Sequence, residues 1–73
     1  MYKCIKGFSL EKYDEDGFTV DGEYMVVNEG SIWHIPGDKN YRLIDGDIRL
    51  ENDEDVWIEI SNETLAESFE KIN

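Results

Sequence analysis

The chain is poor in the residues on which most disulfides, metal centres and active sites depend. Its 73 residues include one cysteine, one histidine and one proline. A lone cysteine, Cys4, cannot form an intramolecular disulfide, and this favours a reducing, cytoplasmic setting. One cysteine and one histidine also fall short of the four ligands of a structural zinc site. We therefore expect the protein to bind no metal and no cofactor.

Groups suited to catalysis are equally scarce. His34 is the only histidine, so a Cys-His or Ser-His-Asp arrangement has no choice of base. Ser31 is close in sequence, but alternation along a strand places Ser31 and His34 on opposite sides. The sequence has no glycine-rich phosphate-binding motif of either common type. We expect no catalytic residues and predict that the protein is not an enzyme.

Basic residues and long apolar runs are also few. Seven Lys and Arg residues oppose eighteen Asp and Glu residues, giving a net charge of −11. Nucleic acids and anionic membranes are bound mainly through Lys and Arg, so we expect no direct binding to either. No apolar run approaches the roughly 20 residues of a membrane span, and lysines interrupt the N-terminal segment where a signal peptide would be apolar. The charge favours a basic protein surface as partner; acids that only maintain solubility are the alternative.

The carboxylates are concentrated near the C-terminus. Ten acidic residues lie between Asp45 and Glu70, where Arg49 is the only basic residue. Apolar residues are interleaved with them, so we expect the charge to lie on a folded surface and not on a disordered tail. These apolar residues are Leu43, Ile48, Leu50, Val56, Ile58, Ile60, Leu65 and Phe69.

Alternation of apolar and polar residues dominates the first sixty residues and predicts short strands. Asp14–Gly17 and Glu29-Gly30 are predicted turns, and Asp21-Gly22 suggests a break or a β-bulge. Asp45-Gly46 predicts a two-residue hairpin loop, which would pair Leu43 with Ile48.

The next connection leaves two registers open. An odd loop length, most simply Asn52–Glu54, places Ile58 opposite Ile48 and leaves Trp57 on the outer face. A four-residue loop would instead turn Trp57 inward.

The chain ends in a predicted helix at about residues 62–72. Ser61 is a plausible N-cap, and Leu65, Phe69 and Ile72 share one stripe of the helix. The fold class is therefore mainly β (α+β by helix count) in a single domain, 1–73, with strands within 2–60. We expect a small, strongly bent antiparallel sheet closed as an SH3-like barrel of about five strands, because closure would protect sheet edges from aggregation. An open curved sheet packed on the helix is the alternative.

Two tryptophans and the acidic residues near the C-terminus are the candidate contacts for a partner. An exposed tryptophan surrounded by carboxylates is a reasonable anchor for a basic surface. One or both tryptophans could instead complete the core. The candidate partner-binding residues are Trp57, Glu59, Glu63, Glu67, Glu70 and Trp33.

Part of the sequence resembles small uncharacterised acidic proteins of Gram-positive phages and integrated mobile elements. The resemblance lies in the Gly30-Ser31-x-Trp33 step, in the segment 22–33 around it, and in the strand-to-helix ending Trp57–Ser61 with Thr64-Leu65. It would extend over most of the chain from Phe18 onward. It implies a bacterial cytosol and an accessory role, and it supplies no functional residues.

These observations lead us to expect a non-catalytic acidic protein-interaction module. A narrower version is an inhibitor or nucleic-acid mimic from a mobile element, with carboxylates in the place of phosphates. The alternative is a structural or assembly component that self-associates through a sheet edge or the helix.

Overall fold

The computed structural model describes residues 1–38 and 40–72, which form short antiparallel strands and one short helix. The mainly β class is thus confirmed. The elements are β1 (Tyr2–Cys4), β2 (Phe8–Tyr13), β3 (Thr19–Val27), β4 (Ile32–Trp33), β5 (Ile48–Glu51), β6 (Trp57–Ile60), α1 (Asn62–Ser68) and β7 (Phe69–Lys71).

The strands form three small sheets. One has the order β4-β1-β7, and the others are the hairpins β2-β3 and β5-β6. An isolated bridge between His34 and Glu51 joins the end of β4 to β5. Pairing within residues 1–38 and 40–72 does not close into the barrel that we expected. The radius of gyration is 11.7 Å, close to the roughly 11 Å of a folded domain of this length.

The first hairpin follows the predicted pattern of turns. Asp14 begins its turn, because one carboxylate oxygen accepts the N–H groups of Asp16 and Phe18 at 2.9 and 3.0 Å. The pairing register shifts between Glu11 and Tyr13. Gly22 lies on the facing strand with a φ of 74°, so the break or bulge predicted near Asp21-Gly22 is confirmed.

The second hairpin has the predicted parity and a longer loop. Ile48 faces Ile60 and Leu50 faces Ile58, two residues away from the predicted register. The residues between the paired Glu51 and Trp57 are 52–56, an odd number, so Trp57 lies on the outer face. The side-chain oxygen of Asn52 stabilises this loop by accepting the N–H groups of Glu54 and Val56, both at 3.0 Å.

The hairpin predicted at Asp45-Gly46 is wrong. Asp45 has the positive φ of 59° that such a loop needs, but residues 41–47 form no strand. The Arg42 guanidinium donates to the carbonyl groups of Gly46 and Asp47, both at 2.9 Å, and curls this segment back on itself. Ile48 therefore pairs with β6 and not with Leu43.

The helix begins where predicted and ends earlier. The Ser61 hydroxyl accepts the Thr64 N–H at 3.1 Å, the expected N-cap bond. Ser68 is the last helical residue, and Phe69 is already extended, with φ −130° and ψ 151°. Residues 69–71 form β7, which pairs with β1 and places Phe69 opposite Cys4. The free edge of β1 accounts for the change, since it offers pairing partners that a local helical pattern cannot reveal.

The core lies where the three sheets meet. Trp33 belongs to it, as does Phe69, whose ring packs edge-on against Phe8 at a centroid distance of 5.9 Å. Its buried members are Cys4, Val27, Trp33, Leu50, Ile58, Ile60 and Phe69. No helix in the part of the chain that the structure describes has the length and apolar content for a membrane span.

Candidate functional site

The acidic residues predicted to form one helical stripe are divided between two elements. Glu63 and Glu67 are exposed on α1. Glu70 is also exposed, but it lies in β7 opposite Lys3 of β1. The stripe expected along a single helix is therefore wrong at Glu70, because the helix has already ended at Ser68.

Two of the predicted contact residues lie in the interior. Trp33 is 3% exposed, and its indole N–H donates to the Ser31 hydroxyl at 2.9 Å. Glu59 is 7% exposed and its side chain has no contact with solvent. The expectation that they form an outer contact surface is wrong, since side chains at these positions fill the core or hold a loop.

The Glu59 carboxylate is surrounded by hydrogen-bond donors. It accepts the backbone N–H groups of Leu43 at 2.6 Å, Ile44 at 3.0 Å and Gly46 at 3.2 Å. Arg49 of the facing strand donates to the same carboxylate from Nη1 at 3.0 Å. One side chain of β6 thus binds three backbone groups of the 41–47 segment. Sequence reasoning missed this role because the donors are thirteen to sixteen residues away along the chain.

Opposing influences act on the pKa of Glu59. Burial is the largest single influence and raises the pKa, because it disfavours the charged form. The hydrogen bonds from the three backbone N–H groups and from Arg49 lower it, and together they outweigh burial. The net pKa lies below the usual value, so Glu59 is ionised at neutral pH.

Arg49, Glu59 and Trp57 lie on the same face of the second hairpin, and Arg49 contacts both of the other side chains. Its guanidinium lies 4.5 Å from the centre of the Trp57 ring and 5.0 Å from that of Tyr41. It also pairs with Glu51 at 3.0 Å. Cation–π contact with the two rings stabilises the guanidinium in this position.

A groove of about 530 Å³ lies between the β2–β3 hairpin and β6. The rings of Tyr13 and Trp57 approach each other at this groove with a centroid distance of 6.4 Å. Its lining residues are Leu10, Glu11, Lys12, Tyr13, Tyr24, Met25, Ile44, Asp55, Val56, Trp57, Ile58 and Glu59. Trp57 and Glu59 are the predicted contact residues that reach it.

The groove combines apolar walls with acidic groups at its margin. Glu11 and Asp55 are exposed and line it. Lys12 lines it as well, and its ammonium is paired with Glu23 at 3.5 Å. Tyr24, 68% exposed, extends the apolar surface outward along β3. Such a surface can bury apolar side chains and neutralise basic ones.

Ligating side chains and the only histidine have the following positions in the structure. Within residues 1–38 and 40–72, no three His, Cys, Asp or Glu side chains are arranged so that they could hold a metal ion. His34 is engaged through its backbone, which exchanges hydrogen bonds of 2.8 and 2.9 Å with Glu51.

Comparison with known proteins finds a partial likeness. The chain is similar to the B chain of heat-labile enterotoxin IIA from Escherichia coli, with 40% identity over 48 residues. The matching region is 62% of this chain and 39% of the enterotoxin chain, so this chain spans about two fifths of that relative's length. No family model and no solved structure matches.

The resemblance to proteins of Gram-positive phages and mobile elements is therefore corrected. The relative that the comparison identifies is an enterotoxin B chain and not a phage protein. Within the Gly30-Ser31-x-Trp33 step, the Ser31 hydroxyl accepts the indole N–H of the buried Trp33.

Proposed function

We propose that this chain is a non-catalytic interaction module that binds a basic segment of another protein. The observation that supports the proposal is the groove beside β6, where apolar and aromatic walls adjoin the carboxylates of Glu11 and Asp55 on a chain of net charge −11. Charge complementarity would speed the encounter, and the apolar walls would retain the partner. In the narrower form of the proposal, the partner is a DNA- or RNA-binding protein whose phosphate site accepts the carboxylates.

We further propose that the strands follow the order of an SH3-like barrel whose first and last strands, among the residues that the structure describes, are not hydrogen-bonded to each other, and that the protein is located in the cytoplasm. In support of the barrel, the order β7-β1-β4 continues through the His34–Glu51 bridge into β5 and β6, which gives five strands in one succession. In support of the location, the only cysteine is a buried free thiol, as expected of a protein in a reducing compartment.

The test of the binding proposal uses two displayed libraries of twelve-residue peptides. One library mixes Lys and Arg with apolar residues, and the other replaces Lys and Arg by Asp and Glu. We expect the labelled protein to enrich the basic library alone. Affinity for the enriched peptides should fall at least tenfold between 50 and 500 mM NaCl, because added salt screens the attraction. Equal enrichment of both libraries, or affinity that ignores salt, would contradict the proposal.

Matched variants locate the binding site. Glu11→Gln and Asp55→Asn each remove a charge that lines the groove, and both should weaken peptide binding. Glu15→Gln and Asp53→Asn remove equivalent exposed charges from the neighbouring turns, outside the groove lining. These two controls should bind nearly as the unchanged chain does. The same loss in all four variants would show that total charge, and not the groove, determines binding.

Self-association is the second candidate function, and exposed apolar side chains favour it. Tyr24 and Val26 are 68% and 63% exposed on the outer face of β3, where both share one parity. Sedimentation velocity at increasing protein concentration distinguishes the two functions. An assembly should grow with concentration, and more readily at high salt, where the repulsion between like-charged chains is screened. A basic-segment module should stay at one sedimentation coefficient.

A further inference from the structure

The groove follows the edges of two strands and not their faces. Neighbouring residues of a strand point to opposite faces, so a depression on one face touches every second residue. Here the groove touches consecutive residues of both parities: 10–13 of β2 and 57–59 of β6, together with 55–56 of the preceding loop. Contact with both parities is expected where a groove runs along a strand edge, and the long side chains of Tyr24 and Met25 reach the same groove from β3. Among the residues that the structure describes, β2 pairs only with β3 and β6 only with β5, so both groove-side edges lack a neighbouring strand.

The hydrogen bonds of β5 fix the direction in which the groups of β6 point. His34 and Glu51 exchange both backbone hydrogen bonds, so the amide groups of Glu51 face β4. Because the direction alternates from residue to residue, Leu50 faces β6 and pairs with Ile58. The backbone N–H and carbonyl groups of Trp57 and Glu59, the residues on either side of Ile58, must then point away from β5.

Two of these backbone groups, which point away from β5, are nearest to Ile58, and their residues line the groove. They are the carbonyl of Trp57 and the N–H of Glu59, which flank the inward-facing Ile58. On the opposite side, the Asp14 N–H donates to the Phe18 carbonyl at 2.8 Å. The preceding carbonyl, that of Tyr13, therefore points away from β3. Unpaired backbone groups of this kind are a template for another strand.

The walls of the groove would receive alternate side chains of such a strand. Leu10, Met25 and Val56 line it from below and pack against the core. Glu11 and Asp55 are exposed at its margin. An added strand would direct one set of side chains to the apolar floor and the other set outward, where the carboxylates lie.

We propose that the groove between β2 and β6 is a strand-addition site for an extended segment of a basic partner protein. The segment hydrogen-bonds to the Trp57 carbonyl and the Glu59 N–H, and buries every second, apolar side chain. Its intervening Lys or Arg residues meet Glu11 and Asp55. Main-chain bonds supply affinity in this mode, and the pockets for alternate side chains supply specificity. The inference rests on the proposed function, and adds how the segment binds.

The test starts from random octapeptides displayed on yeast and selected with the full chain. We expect the enriched peptides to alternate apolar residues with Lys or Arg. Selected peptides are then synthesised in three forms: unmodified, and with each of the two alternate sets of backbone amides N-methylated. Methylation of the set that faces β6 should lower affinity at least tenfold, because it removes donors and blocks close approach while keeping charge and side chains. The control is methylation of the alternate set of amides, which faces away from β6, and it should leave affinity unchanged.

Amide exchange on the protein identifies the edge that is used. With the unmodified peptide bound, exchange of the Glu59 N–H should slow at least tenfold, whereas that of Asp53, in the turn outside the groove lining, should not change. Basic peptides that bind equally well in all three forms, or that leave Glu59 exchange unchanged, would overturn strand addition and leave the proposed function standing. If no basic peptide binds the unchanged chain more tightly than it binds the Asp55→Asn variant, both proposals fail.

Discussion

The Glu59 carboxylate accepts backbone N–H groups that a neighbouring strand would otherwise accept. Residues 41–47 have no neighbouring strand to receive their N–H groups, and three of these groups turn to Glu59 instead. Arg49 supplies the opposite charge. A buried charge is tolerable only when its hydrogen bonds are satisfied, as they are here. The position of this segment beside the groove therefore depends on the ionisation of one residue.

Replacement of Glu59 by glutamine should be strongly destabilising. Glu59→Gln keeps the shape of the side chain, but it leaves the Arg49 guanidinium without its buried counter-charge and turns an NH₂ group toward backbone donors. We expect a loss of about 3–5 kcal/mol in the free energy of unfolding, measured by urea denaturation. Glu63→Gln on the exposed face of α1 is the control and should change it by less than about 0.5 kcal/mol. Similar losses in both variants would show that the hydrogen bonds to the Glu59 carboxylate contribute no special stability.

The same carboxylate should make stability depend on pH. Since the pKa of Glu59 in the folded chain lies below its usual value of 4.5, its ionised form stabilises the fold. This contribution is complete above pH 4.5 and disappears as the pH falls through the lower, folded-state pKa. The difference in unfolding free energy between the unchanged chain and Glu59→Gln should therefore shrink below pH 4.5. A difference that is constant from pH 7 to pH 3 would refute this origin.

Gly46 should tolerate no side chain. A Cβ atom placed there would lie 2.6 Å from the Cβ of Glu59 and 3.0 Å from its carbonyl carbon. Gly46→Ala must therefore displace the segment or the strand beneath it, at a cost of about 1–3 kcal/mol. Gly37→Ala is the matched control, because a Cβ atom at Gly37 would meet nothing within 4 Å. Thermal unfolding should show a lower Tm for the first variant and little change for the second.

At the scale of elements, α1 is too short to be stable without its cap and its packing. It spans Asn62–Ser68, fewer than two full turns, and Ser61 satisfies one of its unpaired N–H groups. Ser61→Ala should lower the unfolding free energy by about 1 kcal/mol. Asn62→Ala, at the next exposed position, should have little effect in the same denaturation experiment. An unchanged free energy in Ser61→Ala would show that packing alone holds the helix.

Short-range patterns predicted the elements better than their partners. Alternation identified the faces of β5 and β6, since Ile48 and Leu50 do face Ile60 and Ile58. The Asp45-Gly46 step misled because a left-handed residue suits an irregular loop as well as a hairpin.

The end of the helix and the candidate site were hidden for a related reason. Phe69 continues a helical stripe in sequence, and only the edge of β1 draws it into a strand. The groove joins β2 to β6, and Glu59 reaches donors thirteen or more residues away. Contacts between distant segments leave no local periodicity, so the sequence did not predict the groove, and the basic partner expected from the acidic composition stays a prediction.

At the scale of the whole molecule, like charge opposes compactness. A net charge of −11 is confined within a radius of gyration of 11.7 Å. Added salt screens this repulsion, since the Debye length falls from about 30 Å at 0.01 M to about 3 Å at 1 M. We expect the Tm to rise by several degrees between 10 and 500 mM NaCl. A Tm that falls over this range would mean that attractive ion pairs, such as Lys12–Glu23, outweigh the repulsion.

The reaction rate of the Cys4 thiol reports how often the sheet around it opens. Its thiol is the only one in the chain, has no exposed surface, and lies in β1, between β4 and β7. A reagent such as an aromatic disulfide can reach it only after those strands part. The speed of its modification, followed by absorbance without any engineered label, thus reports how often the sheet opens.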